Sequence, residues 1–206
     1  MKITSLESGR GGKRITVHLG TSRRISLDSE AVAAAGLKVG QEIDVKALAR
    51  LRTGGRFQAA LETSLRFLEY RLRSEKEVRD RLSRSGYSSN IIDRVVTQLR
   101  ARKLVDDRTF ARFWCEGRTG RSPRGRRLVI SELVAKGVAR ETAETMTADL
   151  EDEAAAYEAG HRKARSLAGL DYNAFRRKLG SYLQRRGFDY EVITRTVKRL
   201  WHEQPS

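Results

Sequence analysis

The stretch Leu82-Ser83-Arg84-Ser85-Gly86-Tyr87 returns as Leu133-Val134-Ala135-Lys136-Gly137-Val138 and again as Leu183-Gln184-Arg185-Arg186-Gly187-Phe188. In each copy a leucine stands four residues before a glycine, and an apolar or aromatic residue follows the glycine. The copies are spaced by 51 and 50 residues, and thirteen residues past each glycine stand Leu99, Leu150 and Leu200. A glycine closing an apolar helical face supplies the left-handed C-cap that ends a helix. The residue after it drops back into the core. A period of this length marks a repeat array in which each unit leans on its neighbours.

Working outward from the first copy, Leu61, Leu65, Leu68 and Leu72 fall on one face of a helix. Ser74 followed by Glu77 is the capping-box pattern for a second helix, which carries Val78 and Leu82 inward and stops at Gly86. A third helix begins after Ser88 or Ser89 and buries Ile91, Ile92, Val95 and Leu99. Three short helices thus make one unit, and the repeats extend over 59–103, 104–150 and 153–203.

The first 52 residues read differently. Ile15, Val17 and Leu19, then Ile25 and Leu27, alternate with polar residues on either side of Gly20-Thr21-Ser22, which predicts a β-hairpin. Asp28 or Ser29 caps a short helix through Ala35, ended by Gly36, and the run from Leu37 to Val45 reads as a turn into another strand. Thr53-Gly54-Gly55 reads as a linker. The fold class is therefore mostly α: three tandem three-helix repeats in an elongated array, with a small β-rich N-terminal module.

Forty-two Lys and Arg against 26 Asp and Glu give a net charge of +16, which favours a polyanionic partner, nucleic acid first. No run of apolar residues is long enough to span a bilayer, and the start of the chain lacks the apolar stretch of a signal peptide. One cysteine, Cys115, fits a reducing compartment, so a cytoplasmic, monomeric protein with no membrane partner is expected.

Little points to catalysis. His18, His161 and His202 are scattered without metal-ligand spacing, and Cys115 reads as a small core hydrophobe. Gly9-Arg10-Gly11-Gly12-Lys13 resembles a phosphate loop but misses its spacing, and reads as a loop before the first strand. Asp106 and Asp107 suggest a metal pair, but their place before Phe110 favours helix capping. Phe110, Phe113 and Trp114 form a packing stripe. We expect no enzyme activity, no metal and no cofactor.

Arginine is the informative residue. Arg118, Arg121, Arg124, Arg126 and Arg127 crowd one segment with no acid among them, and Ser122-Pro123 reads as an N-cap with proline at the first helical position. Guanidinium groups beside a helix N-terminus make an anion site, although a merely solubilising loop is the alternative. Replacing Arg124, Arg126 and Arg127 together should then weaken binding without lowering thermal stability. The third repeat continues the theme with Arg176, Arg177, Lys178, Arg185 and Arg186, then Arg195, Lys198 and Arg199, set between core positions such as Phe175, Leu179 and Leu183 and so facing outward.

These residues resemble the RecX regulators of the RecA recombinase. The likeness runs through Arg73-Ser74-Glu75-Lys76-Glu77-Val78 with Leu82 and Gly86-Tyr87, then Leu104-Val105-Asp106-Asp107 with Phe110-Ala111. It continues in Gly125, Glu132-Leu133 and Lys136-Gly137-Val138, and ends in Arg177-Lys178-Leu179, Tyr182-Leu183 and Arg185-Arg186-Gly187-Phe188. One departure is the first helix of the third repeat, where Ala154–Leu167 carries few large apolar residues. The resemblance implies a modulator that binds RecA filaments on single-stranded DNA and inhibits recombinase, ATPase and co-protease activities in DNA repair and the SOS response. Weak direct binding to DNA is expected beside it. The alternative is a basic helical regulator acting directly on nucleic acid, against which no helix shows the polar row of a base-reading face. A pure scaffold would leave the charge unexplained.

Overall fold

The computed structural model describes residues 1–9, 11–12, 14–119 and 123–203, without the side chains of 118 and 119. The chain forms two compact bodies, one of Met1–Arg71 with Val78–Leu104 and one of Leu72–Glu77 with Val105–Ser206.

In the first body, β1 (Ile3–Ser8), β2 (Arg14–Leu19) and β3 (Arg23–Asp28) form an antiparallel sheet in that order. The expected hairpin is β2–β3, with Leu19 opposite Arg23 and Gly20 at φ +59 in the turn. Strand β1 was not expected, so the glycine-rich segment lies between strands rather than before the first; Arg10 and Lys13 fall outside the described residues. The buried face holds Ile3, Val17, Leu19 and Leu27, covered by Val32 of α1 (Ser29–Ala34) and by Leu37, Ile43 and Leu48. Asp28 caps α1 by accepting from the Glu30 N–H.

Two expectations fail here. The run ending at Val45 makes only a single bridge, Lys2 to Glu42, and Val45 already opens a helix. The supposed linker Thr53-Gly54-Gly55 lies inside that helix, α2 (Val45–Glu69), which runs 25 residues without a break. The glycine has a packing reason: a Cβ on Gly55 would sit 3.1 Å from that of Asp28, so the absent side chain lets α2 approach the end of β3. The first half of α2 buries Leu48 in the sheet module, and the second half buries Ala60 and Leu61. Beyond it, α3 (Glu75–Arg84) buries Val78 and Leu82, and the 13-residue α4 (Ser89–Ala101) buries Ile91, Ile92, Val95, Val96 and Leu99.

The second body holds two further repeats. The first comprises α5 (Asp107–Thr119), α6 (Arg126–Ala135) and the short α7 (Arg140–Met146) around Phe110, Cys115, Val129, Leu133 and Val138. Here α7 has seven residues, so Leu150 lies in the connection beyond it rather than in the third helix. Phe113 is also off the expected stripe: it is exposed, while Phe110 is buried and Trp114 half-buried. The last repeat comprises α8 (Asp152–Ala164), a 3-10 turn at Arg165–Leu167, α9 (Tyr172–Arg185) and α10 (Tyr190–His202) around Phe175, Leu179, Leu183, Phe188, Val197 and Leu200. The scarcity of large apolar residues in α8 is a close-packing device. Ala156, Ala159 and Gly160 are buried, and a Cβ on Gly160 would stand 2.7 Å from Leu200 Cδ1.

Gly86, Gly137 and Gly187 take φ of +79, +89 and +84, and the N–H of the residue after each donates to the leucine carbonyl five residues back. Within the second body the latter two turns are also docking sites. Gly187 receives Leu128 of α6, and Gly125 sits so close that its N–H donates to the Arg186 carbonyl at 2.8 Å. Gly137 likewise receives Lys76, and the Ser74 hydroxyl donates to the Lys136 carbonyl at 2.6 Å. Ser74 also makes its expected capping box with Glu77, each backbone N–H donating to the other's side chain. Gly86 has open space at its Cβ position.

These glycines should respond differently to alanine. Gly86→Ala is expected to cost about 1 kcal/mol, the strain of a left-handed alanine alone. Gly187→Ala must also displace Leu128 and should cost more than about 2 kcal/mol. Thermal melting of both variants checks this; equal losses would mean the Gly187 turn is not a docking surface.

Candidate functional site

Asp106 and Asp107 divide the work of capping. Asp106 caps its own helix, accepting from the Arg108 N–H at 3.0 Å and the Thr109 hydroxyl at 2.7 Å. Asp107 instead accepts from the N–H of Glu75 at 2.9 Å, serving the start of α3. Asp152 repeats that role for α6 by accepting from the Arg126 N–H at 2.8 Å. Among the described residues no group of His, Cys, Asp or Glu is arranged to hold a metal ion. Cys115 is buried with its Sγ toward the Met146 carbonyl, and burial pushes its thiol up, away from the reactive thiolate.

The helix after the arginine-rich segment starts later than expected. Its N-cap is Gly125, not Ser122, and Pro123 is buried ahead of the helix. The physical reason is the docking contact, since a Cβ on Gly125 would strike the Gly187 carbonyl. Arg121, Ser122 and the Arg118 side chain lie outside the described residues.

The acids that sequence spacing could not pair with these arginines come from elsewhere in the fold. Arg124 forms an ion pair with Glu132, which also accepts from the Trp114 indole N–H at 2.8 Å. Arg126 reaches the Glu144 carbonyl, and Arg127 pairs with Asp189 at 3.1 Å while staying largely exposed. Arg186 donates to the Pro123 carbonyl at 3.0 Å and lies 4.7 Å over the Tyr182 ring. Arg124, Arg126 and Arg186 therefore knit the second body together.

Arg176, Arg177 and Arg185 are exposed on α9. Arg176 and Arg177 share a groove of about 750 Å³ between α9 and α10 with Arg127 from the start of α6 and Lys198 from α10. Tyr190, 80% exposed, stands at its rim. Lys198 was expected to face outward with the arginines, and Tyr190 was not singled out. The pattern of α10 marks both as outward-facing, but only the packing of α10 beside α9 brings them to Arg176 and Arg177. Arg195 and Arg199 are engaged with Glu153 and Glu203.

Three family models match in chain order: the RecX first three-helix domain over residues 60–99, the second over 106–146 and the third over 151–197. Regulatory protein RecX of Chlorobium limicola is 33% identical over 142 residues, covering 69% of this chain and 89% of that one. The chain belongs to the RecX family. Regulatory protein RecX of Clostridium perfringens is 27% identical and covers 98% of both chains. Two solved structures share the fold: a crystal structure of regulatory protein RecX, with TM-score 0.71, 18% identity and coverage of 96% of this chain and 98% of that one, and RecX from Lactobacillus salivarius, with TM-score 0.64, 21% identity and coverage of 71% and 97%. Family members carry the name of regulatory proteins. No helix among the described residues is long and apolar enough to cross a membrane.

This geometry leads to two outcomes. Arg124→Ala is expected to lower stability by about 1–2 kcal/mol, because a half-buried carboxylate loses its charged partner. Arg176→Ala with Arg177→Ala should stay within about 0.5 kcal/mol. Urea unfolding compares them, and equal losses would make the α9 arginines structural too.

The second outcome is a pair of opposed pH responses. The Thr109 hydroxyl and the backbone N–H groups of Arg108 and Thr109 hold the Asp106 carboxyl below its ordinary value. Its stabilisation is present above the ordinary carboxylate range and lost as pH falls. Burial pushes Asp152 up despite the Arg126 N–H, so its contribution is present at low pH and lost as pH rises through the raised value. Melting temperatures between about pH 3 and 7 should show Asp106→Asn falling behind the parent as pH rises, and Asp152→Asn pulling ahead. Parallel trends would mean that α6 needs the Asp152 charge.

Proposed function

We propose that this chain binds RecA nucleoprotein filaments on single-stranded DNA and inhibits RecA strand exchange, ATP hydrolysis and co-protease activity. On this reading it is a cytoplasmic regulator of recombination and repair that acts by binding, with no reaction of its own. The observation that carries the reading is the match of all three helical repeats, in order, to the RecX domains. The charge supports it. A net +16 suits a long polyanionic target, and exposed Arg176, Arg177 and Arg185 offer guanidinium groups to phosphates or carboxylates. A binding protein also needs no perturbed nucleophile, and the one thiol is buried.

Co-sedimentation with RecA filaments on single-stranded DNA tests the proposal, with naked DNA as the control. The expected result is pelleting with filaments well above the DNA control, and slower DNA-dependent ATP hydrolysis at sub-stoichiometric amounts. Equal pelleting with both, and hydrolysis unchanged across a wide titration, would reduce the chain to a general nucleic-acid binder.

A further inference from the structure

The repeat register shows why the α9–α10 groove is open. Arg176 and Arg177 stand 50 residues beyond Arg126 and Arg127, the spacing between the second and third repeats. In the second repeat these positions are partnered, although Arg127 stays largely exposed. The Arg126 N–H is taken by Asp152, and the Arg127 guanidinium pairs with Asp189, both from the third repeat. In the third repeat the corresponding face carries no docked element among the described residues. A junction face has become a free one.

A face with no docked element needs polar residues for solubility, and a mixture of charges would serve. The third repeat has such mixed surface elsewhere, where Arg195 meets Glu153 and Arg199 meets Glu203. The groove differs. Its described lining holds Arg127, Arg176, Arg177 and Lys198 and no acid, and Asp189 beside it is occupied by Arg127. Arg176, Arg177 and Lys198 are exposed and form no ion pair among the described residues. Phe188 and Val197 give the groove an apolar floor, and Tyr190 stands free at the rim.

We infer that this groove binds a segment of single-stranded nucleic acid directly, with phosphates on Arg176, Arg177 and Lys198 and a base stacked on Tyr190. A cationic track beside an accessible aromatic ring is the combination that recognises unpaired strands without regard to sequence. An acidic protein segment would use the cations but has no need of the ring. A duplex would offer phosphates while keeping its bases stacked on each other. The inference goes beyond filament recognition, because it concerns nucleic acid in the absence of RecA.

The test is fluorescence anisotropy of the full chain with a labelled oligothymidine of about 20 nucleotides, long enough to exceed one such site. Replacing Arg176, Arg177 and Lys198 together by alanine should weaken binding at least about tenfold and flatten the log K against log salt slope by about 2. Tyr190→Ala should weaken it about five- to tenfold, and Tyr190→Phe should retain it. Removal of equal charge at Arg23, Arg24 and Lys38, exposed on the N-terminal module, should leave the affinity within about twofold. The inference is overturned if that control loses as much as the groove variant, or if Tyr190→Ala binds like the parent. It is also overturned if a polyglutamate peptide or a duplex of the same length competes as well as the single strand. Filament pelleting of the parent chain is a separate readout. Pelleting with filaments but no oligonucleotide binding by the parent would sink this inference alone, and oligonucleotide binding without pelleting above the naked-DNA control would sink only the filament reading.

Discussion

At Gly125 and Gly187 two stretches of backbone meet with no side chain between them, and one N–H donates to a carbonyl 2.8 Å away. The start of a helix presents unsatisfied N–H groups, and the left-handed turn that ends another presents a carbonyl and a flat glycine face. Pressing one against the other satisfies both. Ser74 and Gly137 use the same arrangement with a hydroxyl as the donor. Asp107 and Asp152 complete it, each taking the next N–H along the helix. The turn glycines thus serve twice, ending one helix and seating the start of another. A residue with a Cβ would spoil the second role even where it tolerated the first.

That arrangement also divides the positive charge. Arg124, Arg126 and Arg186 are drawn into holding the second body together, through a carboxylate and through backbone carbonyls. Arg176, Arg177 and Lys198 have no such employment. Local abundance of arginine is therefore a poor guide to contact surface. Five arginines in one segment look like a binding loop, yet the described ones in it are largely engaged. The open cations occur on α9 and α10, where they are interspersed with core positions and less conspicuous.

The repeats were legible because glycine and leucine anchors obey helix geometry wherever they occur, and the capping box of Ser74 and Glu77 is a local signal. The β2–β3 hairpin was legible from its alternation. Strand β1 was not, since Ile3-Thr4-Ser5-Leu6-Glu7-Ser8 alternates poorly and its pairing shifts register between Ile3 and Ser5. Gly54-Gly55 misled because paired glycines signal a break unless packing demands bare backbone, and that demand came from Asp28, far away in sequence. The N-cap at Gly125 was hidden for the same reason. Its selection depends on the Gly187 carbonyl, 62 residues further on. Of the candidate site, the residue type was legible. Which arginines are engaged was not, because their partners, Glu132, Asp189 and the Glu144 and Pro123 carbonyls, are set by packing rather than by local helical spacing.

The unequal third helices show how this architecture accommodates length change. Helix α7 has seven residues where α4 has thirteen, and Arg126 lies 26 residues from Asp152 where Glu75 lies 32 from Asp107. The six missing residues come out of the third helix, the connection beyond it being five residues long in both repeats, and both aspartates still meet their N–H donors. Insertions or deletions in a third helix are therefore absorbed without disturbing the seat. A single residue inserted into α6 or α9 would rotate the remainder of that helix by about 100° and carry the turn glycine off its partner. Mutational history in such a chain should be written in the third helices and connections, with α6, seated both at its start and at its turn glycine, held to its ten residues by geometry alone.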